Sequence, residues 1–129
     1  MPVICADAVG DNLILRRCSF EDFAEAVYAM LQLLPPGVVV TYASIAKVLG
    51  VSARLVANVL RKNPNPIVVP CHKVVKADLR LGGYTLFGRK SPAFKAKLLR
   101  NIEGIELRVG GRVRKNYVKD IAELLGHDP

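Results

Sequence analysis

Apolar residues recur at three- and four-residue intervals through Phe20, Phe23, Val27, Met30, Leu31 and Leu34, predicting an amphipathic helix of about four turns. Ser19 stands where an N-cap would, Glu21 and Asp22 supply carboxylates to the first turn, and Pro35-Pro36-Gly37 ends the run. Val38-Val39-Val40 is short and β-branched, the outline of a brief strand. Thr41 can cap a second helix, Tyr42 to Leu49, with Ile45, Ala46 and Leu49 facing inward and Gly50 as its stop. Ser52 can cap a third, Ala53 to Lys62, whose inner face is Leu55, Val56, Val59 and Leu60. Two short helices joined by a tight glycine-containing turn outline a helix-turn-helix. The outer face of its second helix carries Arg54, Arg61 and Lys62 with the small Ala57 and the polar Asn58.

Beyond the third helix, three prolines within seven residues make Asn63-Pro64-Asn65-Pro66-Ile67-Val68-Val69-Pro70 a stiff approach, neither helix nor central strand. Ile67, Val68 and Val69 are expected in the core, with Pro70 holding Cys71 at its edge. Gly82-Gly83 marks a close backbone approach before Tyr84-Thr85. Ser91-Pro92 reads as an N-cap and first helical position, opening a helix through Phe94, Leu98, Leu99 and Ile102 that ends at Gly104. Residues 105–114 alternate apolar and charged around Gly110-Gly111, as in a hairpin, and Val118, Ile121, Ala122, Leu124 and Leu125 suggest a last helix. Residues 1–18 form either a short hairpin turning near Gly10 or a docking arm. The pattern therefore predicts one domain over 1–129, mainly α with small β elements, without repeats or linkers.

Composition narrows the function classes. At 129 residues, 51% apolar and a mean hydropathy of +0.26, the chain can bury a normal core. No apolar run approaches the roughly eighteen residues that span a bilayer, and no basic leader precedes an apolar stretch, so a cytoplasmic or nuclear protein without a membrane partner is expected. Three cysteines and two histidines offer no readable metal site and no disulfide framework. Cys5 and Cys18 could bridge, against the cytosolic look of the rest. Net charge is +8, and residues 47–100 alone carry +11 against −3 elsewhere. A solvated cationic surface would explain that, but an acidic polymer, most commonly nucleic acid, explains its concentration.

Cys71-His72 is the candidate chemistry. A thiol titrates near 8.5 and needs a neighbouring base or positive field to react at neutral pH. Adjacency in sequence does not place the imidazole against the sulfur, so a water relay is allowed. A carboxylate behind the ring would complete a Cys/His/acid set, and Glu103 is the one acid near the basic segment apart from Asp78. From spacing alone such a cysteine is more often an inert buried one, and the two helices could be a packed hairpin with an incidental basic face.

The stretch Phe20 to Gly104 resembles the C-terminal domain of the O6-alkylguanine-DNA alkyltransferases. The resemblance is carried by Val27-Tyr28, Pro36-Gly37, Thr41-Tyr42, Ile45-Ala46, Leu49-Gly50, Asn63 through Val75 with its Pro-Cys-His-Lys-Val core, Leu81-Gly82-Gly83-Tyr84, Leu98-Leu99 and Glu103-Gly104. It implies a winged helix-turn-helix-like domain that repairs DNA once per molecule, Cys71 taking the alkyl group from guanine O6. It further implies that His72, through water and oriented by Glu103, forms the thiolate, that Tyr42 assists the departing guanine at N3, and that Asn63 braces the turn. Arg54 would fill the stack left by a flipped nucleotide. Thr41, Tyr42, Ser52, Ala53, Ala57, Arg61 and Lys62 would contact duplex DNA in the minor groove, and Leu60, Val74, Tyr84 and Thr85 would wall the pocket. No metal or organic cofactor is implied, and a monomer suffices. The alternative is an alkyltransferase-like protein that binds and flags lesions without transfer, but such proteins lack the cysteine. A helix-turn-helix regulator with a redox cysteine would leave Tyr42, Asn63 and Gly82-Gly83-Tyr84 unexplained. The chain departs from the family pattern in a shorter turn before Arg54, in extra residues including Phe87-Gly88-Arg89-Lys90, in one added residue before Glu103, and in an N-terminal domain, with any zinc site some members carry there, reduced to a short arm.

Overall fold

The computed structural model describes residues 4–86 and 89–126. Strands β1 (Ile4–Val9) and β2 (Asn12–Arg17) form an antiparallel hairpin, followed by helix α1 (Phe20–Gln32), strand β3 (Val40–Thr41), and helices α2 (Tyr42–Leu49) and α3 (Ala53–Arg61). A 3-10 turn at Cys71–Lys73 leads into β4 (Val74–Val75), the short pair β5 (Thr85–Leu86) and β6 (Arg89–Lys90), helix α4 (Pro92–Asn101), a 3-10 turn at Lys115–Tyr117 and the single-turn helix α5 (Ile121–Leu124). The chain is mainly α with small sheets, and the boundaries of α1 to α4 read from the apolar pattern hold within about two residues.

Caps explain why the helices begin where they do. Ser19 Oγ accepts from Asp22 N and Asp22 Oδ2 accepts from Ser19 N, a reciprocal capping box. Thr41 and Ser52 cap α2 and α3 through hydrogen bonds from Ser44 N and Leu55 N, each at 3.1 Å. Gly50, at φ +68°, lets α2 end in a left-handed cap, and the chain direction turns by 109° into α3. Tyr28 Oη donates to Val59 O at 2.8 Å, fastening α1 to the end of α3. Ser91 stands at the start of α4, yet its hydroxyl makes no capping bond; its N–H instead donates to Tyr84 O.

Two apolar clusters meet at a two-residue parallel ladder, Val40 opposite Val74 and Thr41 opposite Val75. Side chains alternate across such a ladder. Val40 and Val74 accordingly join the larger cluster, formed with Val27, Leu31, Ile45, Val56 and Val59, whereas Val39 and Val75 join the smaller one with Leu99, Ile105 and Val113. Val118 adds a further parallel bridge to Val39, so the last helix starts only at Ile121 behind the Asp120 cap, later than the apolar spacing suggests. The expected hairpin after Gly104 is present as a bridge between Leu107 and Val113.

Two sequence expectations are corrected. Of Ile67, Val68 and Val69, only Val69 is buried; Ile67 and Val68 are 43% and 71% exposed. The run is consumed in a turn closed by Val69 N donating to Asn65 O at 2.9 Å, with Ile67 at φ +78°, a conformation a β-branched residue rarely takes. Cys5 and Cys18 are joined in a disulfide, a pairing usual in oxidising compartments and in intracellular proteins of hyperthermophiles. It ties β1 to the residue before the Ser19 cap.

The hairpin it holds buries almost nothing: Ile4, Val9, Leu13, Ile14 and Leu15 are all at least half exposed. If it belonged to the same cooperative unit as the core, closing a loop of this span (13 residues apart) would be worth about 3 kcal/mol. Reduction should therefore speed limited proteolysis within residues 4–17, yet move the melting temperature of the rest by less than the roughly 4 °C expected from 1 kcal/mol. A calorimetric scan with and without reductant, paired with mapped proteolysis, checks both statements.

Candidate active site

Cys71 is set in place by backbone geometry. Pro70 sits at φ −79°, ψ +66°, and Cys71 N donates to Val69 O at 2.7 Å, an inverse γ-turn that swings the chain into the 3-10 turn. Asn63 braces the approach from both ends, Nδ2 donating to Val69 O and Oδ1 accepting from Asn65 N, each at 2.9 Å. The thiol is 6% exposed.

Behind it, His72 Nε2 and Glu103 Oε2 lie 2.8 Å apart. The other carboxylate oxygen, Oε1, accepts from Gly37 N at 3.2 Å and pairs with Lys73 Nζ at 3.2 Å. Lys73 also donates to Leu34 O and Pro35 O, two carbonyls of the turn that follows α1. The extra residue before Glu103 does not break this arrangement. Ile102 N and Glu103 N both reach back to Leu98 O and Gly104 sits at φ +68°, a widened last turn that leaves Ile102 51% exposed and Glu103 directed inward.

Burial works to raise the Glu103 pKa, but the bonds from His72 and Gly37 and the Lys73 charge win and hold it below the usual carboxylate value. Burial lowers the His72 pKa against the opposing pull of Glu103. The pair is thus an ionised carboxylate beside a neutral imidazole. An ionised carboxylate only accepts, so Nε2 must carry the proton and Nδ1 must hold the basic lone pair. Nδ1 is buried and has no hydrogen-bond partner among the described residues, as a site for a bridging water requires. Burial also raises the Cys71 pKa above that of an ordinary thiol, partly offset by the Asn63 amide and the Lys95 ammonium. The resting thiol is protonated.

In front of Cys71 opens a cavity of about 480 Å³ lined by Tyr42, Ala57, Leu60, Arg61, Gly83, Tyr84 and Lys90. Five predicted pocket or helix-face residues therefore converge with Cys71: Tyr42, Ala57, Leu60, Arg61 and Tyr84. Val74 does not line the cavity; it is fully buried beneath it, and its carbonyl accepts from Lys95. The side chain of Thr85, and Phe87-Gly88, lie outside the described residues. Thr41 and Ser52 spend their hydroxyls on caps, Ala53 and Arg54 stand exposed in the first turn of α3, and Lys62 turns over the Phe20 ring at 4.9 Å. Gly82 is the glycine that a close approach demands: at φ +75°, an added Cβ would meet Tyr42 Oη at 3.4 Å. Burial raises the Tyr42 pKa, keeping its hydroxyl a donor at neutral pH. Tyr84 Oη has no partner of regular hydrogen-bond geometry, and its pKa is pushed up to about 12, mainly by burial.

Sequence reasoning missed Lys95 and Lys90. Lys95 lies on α4 with no exposed surface, donating to Val74 O at 2.6 Å and sitting 5.8 Å from the Tyr42 ring centroid. It occupies the apolar stripe of α4, between Phe94 and Leu98-Leu99, and a lysine on such a stripe was the available signal. Among the described residues, the grouping with metal-ligand proximity is Cys5, Cys18 and Asp22, but the sulfurs are bonded to each other and Asp22 to Arg16. No single helix among them is long and apolar enough to cross a membrane.

Residues 22–105 match the family model described as 6-O-methylguanine DNA methyltransferase, DNA binding domain. The chain belongs to this family. A methylated-DNA–protein-cysteine methyltransferase of Pyrobaculum aerophilum is 39% identical over 84 residues, 65% of this chain and 56% of that protein. Among solved structures, the O6-methylguanine-DNA methyltransferase of the hyperthermophilic archaeon Pyrococcus kodakaraensis strain KOD1 is 41% identical with a TM-score of 0.55, covering 67% of this chain and 50% of that one. Atl1 of S. pombe, solved with damaged DNA containing O6-carboxymethylguanine, shares the fold at a TM-score of 0.65 and 23% identity, covering 79% of this chain and 98% of that one. The chain spans little more than half the length of the Pyrobaculum relative.

Lys95 generates a prediction with opposite signs for stability and reactivity. Burial lowers its pKa from 10.5 to about 8. The folded value lies below the unfolded one, so the charge opposes folding below pH 8, and that penalty is relieved as pH rises from about 8 to 10.5. Lys95→Met should raise the melting temperature at pH 7 by a few degrees, with the gain shrinking towards pH 10. The same variant should slow alkylation of Cys71 by iodoacetamide at pH 7, because the thiolate loses the Lys95 charge that favours it. Melts at the two pH values and thiol-labelling rates test both signs.

Proposed function

We propose that this domain, acting as a single unit over residues 1–129 and as a monomer, removes alkyl groups from O6-alkylguanine in double-stranded DNA by transferring them to Cys71. The observation that carries the reading is a single reactive assembly at one cavity, a positioned thiol backed by a buried imidazole–carboxylate pair and facing a protonated Tyr42.

In this mechanism the Cys71 proton passes through a bridging water to His72 Nδ1, and Glu103 stabilises the imidazolium that results. The sulfur attacks the alkyl carbon. An S–C bond forms as the C–O6 bond breaks, and the electron pair leaves with guanine. Tyr42 donates towards N3 of the departing base, and the Lys95 ammonium stabilises the thiolate while it exists. The thioether has no leaving group to return, so each molecule acts once. The added carbon enters a thiol site only 6% exposed, where extra volume costs stability through overpacking.

The target carbon lies inside a duplex, so the nucleotide must first be extruded, at a cost of a few kcal/mol. Arg54, exposed in the first turn of α3, is the residue assigned to fill the vacated stack. Ala57 leaves α3 slim where it approaches the minor groove, Arg61 and Lys90 flank the cavity mouth, and Thr41, Ser52, Ala53 and Lys62 lie along the same helix-turn-helix. Such a protein works beside the chromosome, in the cytoplasm of a cell without a nucleus or in the nucleus of one that has it.

Incubation with duplex DNA containing O6-methylguanine should add one methyl group per molecule by intact mass, and Cys71→Ser should show no gain. Lesion binding without any mass gain would instead identify a protein that flags damage without repairing it. For extrusion, Arg54→Ala should slow transfer from duplex by tenfold or more, about 1.4 kcal/mol. It should leave transfer from free O6-benzylguanine within about twofold. Equal slowing on both substrates removes Arg54 from any role in base flipping.

A further inference from the structure

The proposed chemistry uses the helix-turn-helix and the Cys71 cavity and leaves a second cationic feature unexplained. Arg80 pairs with Arg112 in an antiparallel bridge flanked by Val113 N donating to Leu79 O at 2.9 Å. Leu107 pairs with Val113, which sets Arg108 opposite Arg112, and Arg108 N donates to Arg112 O at 2.8 Å. Three arginines thus stand side by side where isolated bridges join three adjacent stretches of chain. Val113 is buried and Leu107 packs on the smaller core cluster, so the alternation turns Arg80, Arg108 and Arg112 to the opposite, exposed face.

Like charges directly opposite each other destabilise a sheet. Folding alone does not favour this row. Among the described residues only Asp78 relieves it, pairing with Arg80 at 3.5 Å, while Glu106 falls opposite Arg114. Over residues 76–81 and 106–115 there are six basic side chains and two acidic ones. The row is also continuous with the cavity. Gly82 is wedged between Tyr42 Oη and Lys76 Cγ, at 3.4 and 3.5 Å from the Cβ it lacks, and Lys76 N donates to Arg80 O at 2.9 Å.

We propose that Arg80, Arg108 and Arg112 form a second DNA contact, which grips the phosphate backbone of the duplex beyond the segment covered by α3. This inference rests on the reading of the domain as a DNA-binding protein. The row reads no bases; it supplies sequence-independent charge that holds the duplex while α3 extrudes the lesion. Anionic phosphates also remove the repulsion that the row carries in the free protein.

The test is a salt titration of binding to undamaged duplexes, comparing the wild-type protein with Arg108→Gln/Arg112→Gln. Two lengths are used, one covering α3 alone and one extended by a helical turn, about 10 base pairs. On the long duplex the double variant should lower the slope of log K against log salt by about 2, from two lost phosphate contacts. On the short one the change should be small. Damaged and undamaged long duplexes should weaken by the same factor, transfer from free O6-benzylguanine should be unchanged, and Arg108→Lys/Arg112→Lys should keep the slope. The unliganded Gln variant should melt no lower than wild type, since it loses repulsion and no core contact. A wild-type slope in the folded Gln variant overturns the proposal, as does equal weakening on both lengths. Loss of heparin binding with DNA binding intact would assign the row to another polyanion and also overturn it. If the wild-type protein binds no duplex at all, the underlying functional reading fails; if it binds and the double variant matches it, only the row does.

Discussion

The Glu103 carboxylate is the point on which the site depends. It gathers the Gly37 amide from the turn after α1, Lys73 and His72 from the 3-10 turn, and its own position at the end of α4. Three separate chain segments are thereby fixed against one another by one charge. Removing it would leave Lys73 buried without a counter-charge, a situation that costs several kcal/mol. It would also free the imidazole to take either tautomer. The acid proposed to orient the base is therefore the same acid that ties the turn after α1, the 3-10 turn and the end of α4 together, and chemistry and fold cannot be separated at this position.

Burial acts on the thiol in a way that fits a single-use acceptor. A free-standing activated cysteine would be a thiolate at rest and would react with any electrophile. Here burial raises the Cys71 pKa and only Asn63, Lys95 and weaker influences oppose it. In the proposed reaction the proton is taken by a neutral His72 held ready by an ionised Glu103, so reactivity is gated by what enters the cavity and orders the relay. A molecule that can act once gains from that restraint, because adventitious alkylation would waste it.

Helix positions and the helix-turn-helix were legible because their signals are local: a 3.6-residue apolar period, capping hydroxyls at Ser19, Thr41 and Ser52, and glycine at position 50. The cluster Tyr42, Leu60, Cys71 and Tyr84 was legible through the family resemblance, since nothing local brings residues so distant in sequence together. What escaped is what tertiary packing decides. Ile67 and Val68 read as core because apolarity is their only local property, and the turn closed by Asn65 and Val69 overrode it. Lys95 drew no notice because a helical lysine nearly always lies at the surface. The Cys5–Cys18 bond was weighed by compartment, which sequence spacing does not report.

The elements that break local rules are not scattered. Ile67 in a left-handed conformation, Lys95 and Lys73 buried among apolar side chains, His72 Nδ1 and Tyr84 Oη without regular partners, and a row of opposed arginines all lie in or next to the segment from Asn63 to Val113. Consistent packing elsewhere, in α1 and in the inner faces of α2 and α3, supplies the stability that tolerates them. Natural chains keep such conflicts chiefly where function requires them. Read this way, the conflicts trace the route of the proposed reaction. The arginines conflict only until phosphate arrives, the buried lysine is costly until a thiolate forms, and the unpaired imidazole nitrogen is idle until the thiol surrenders its proton.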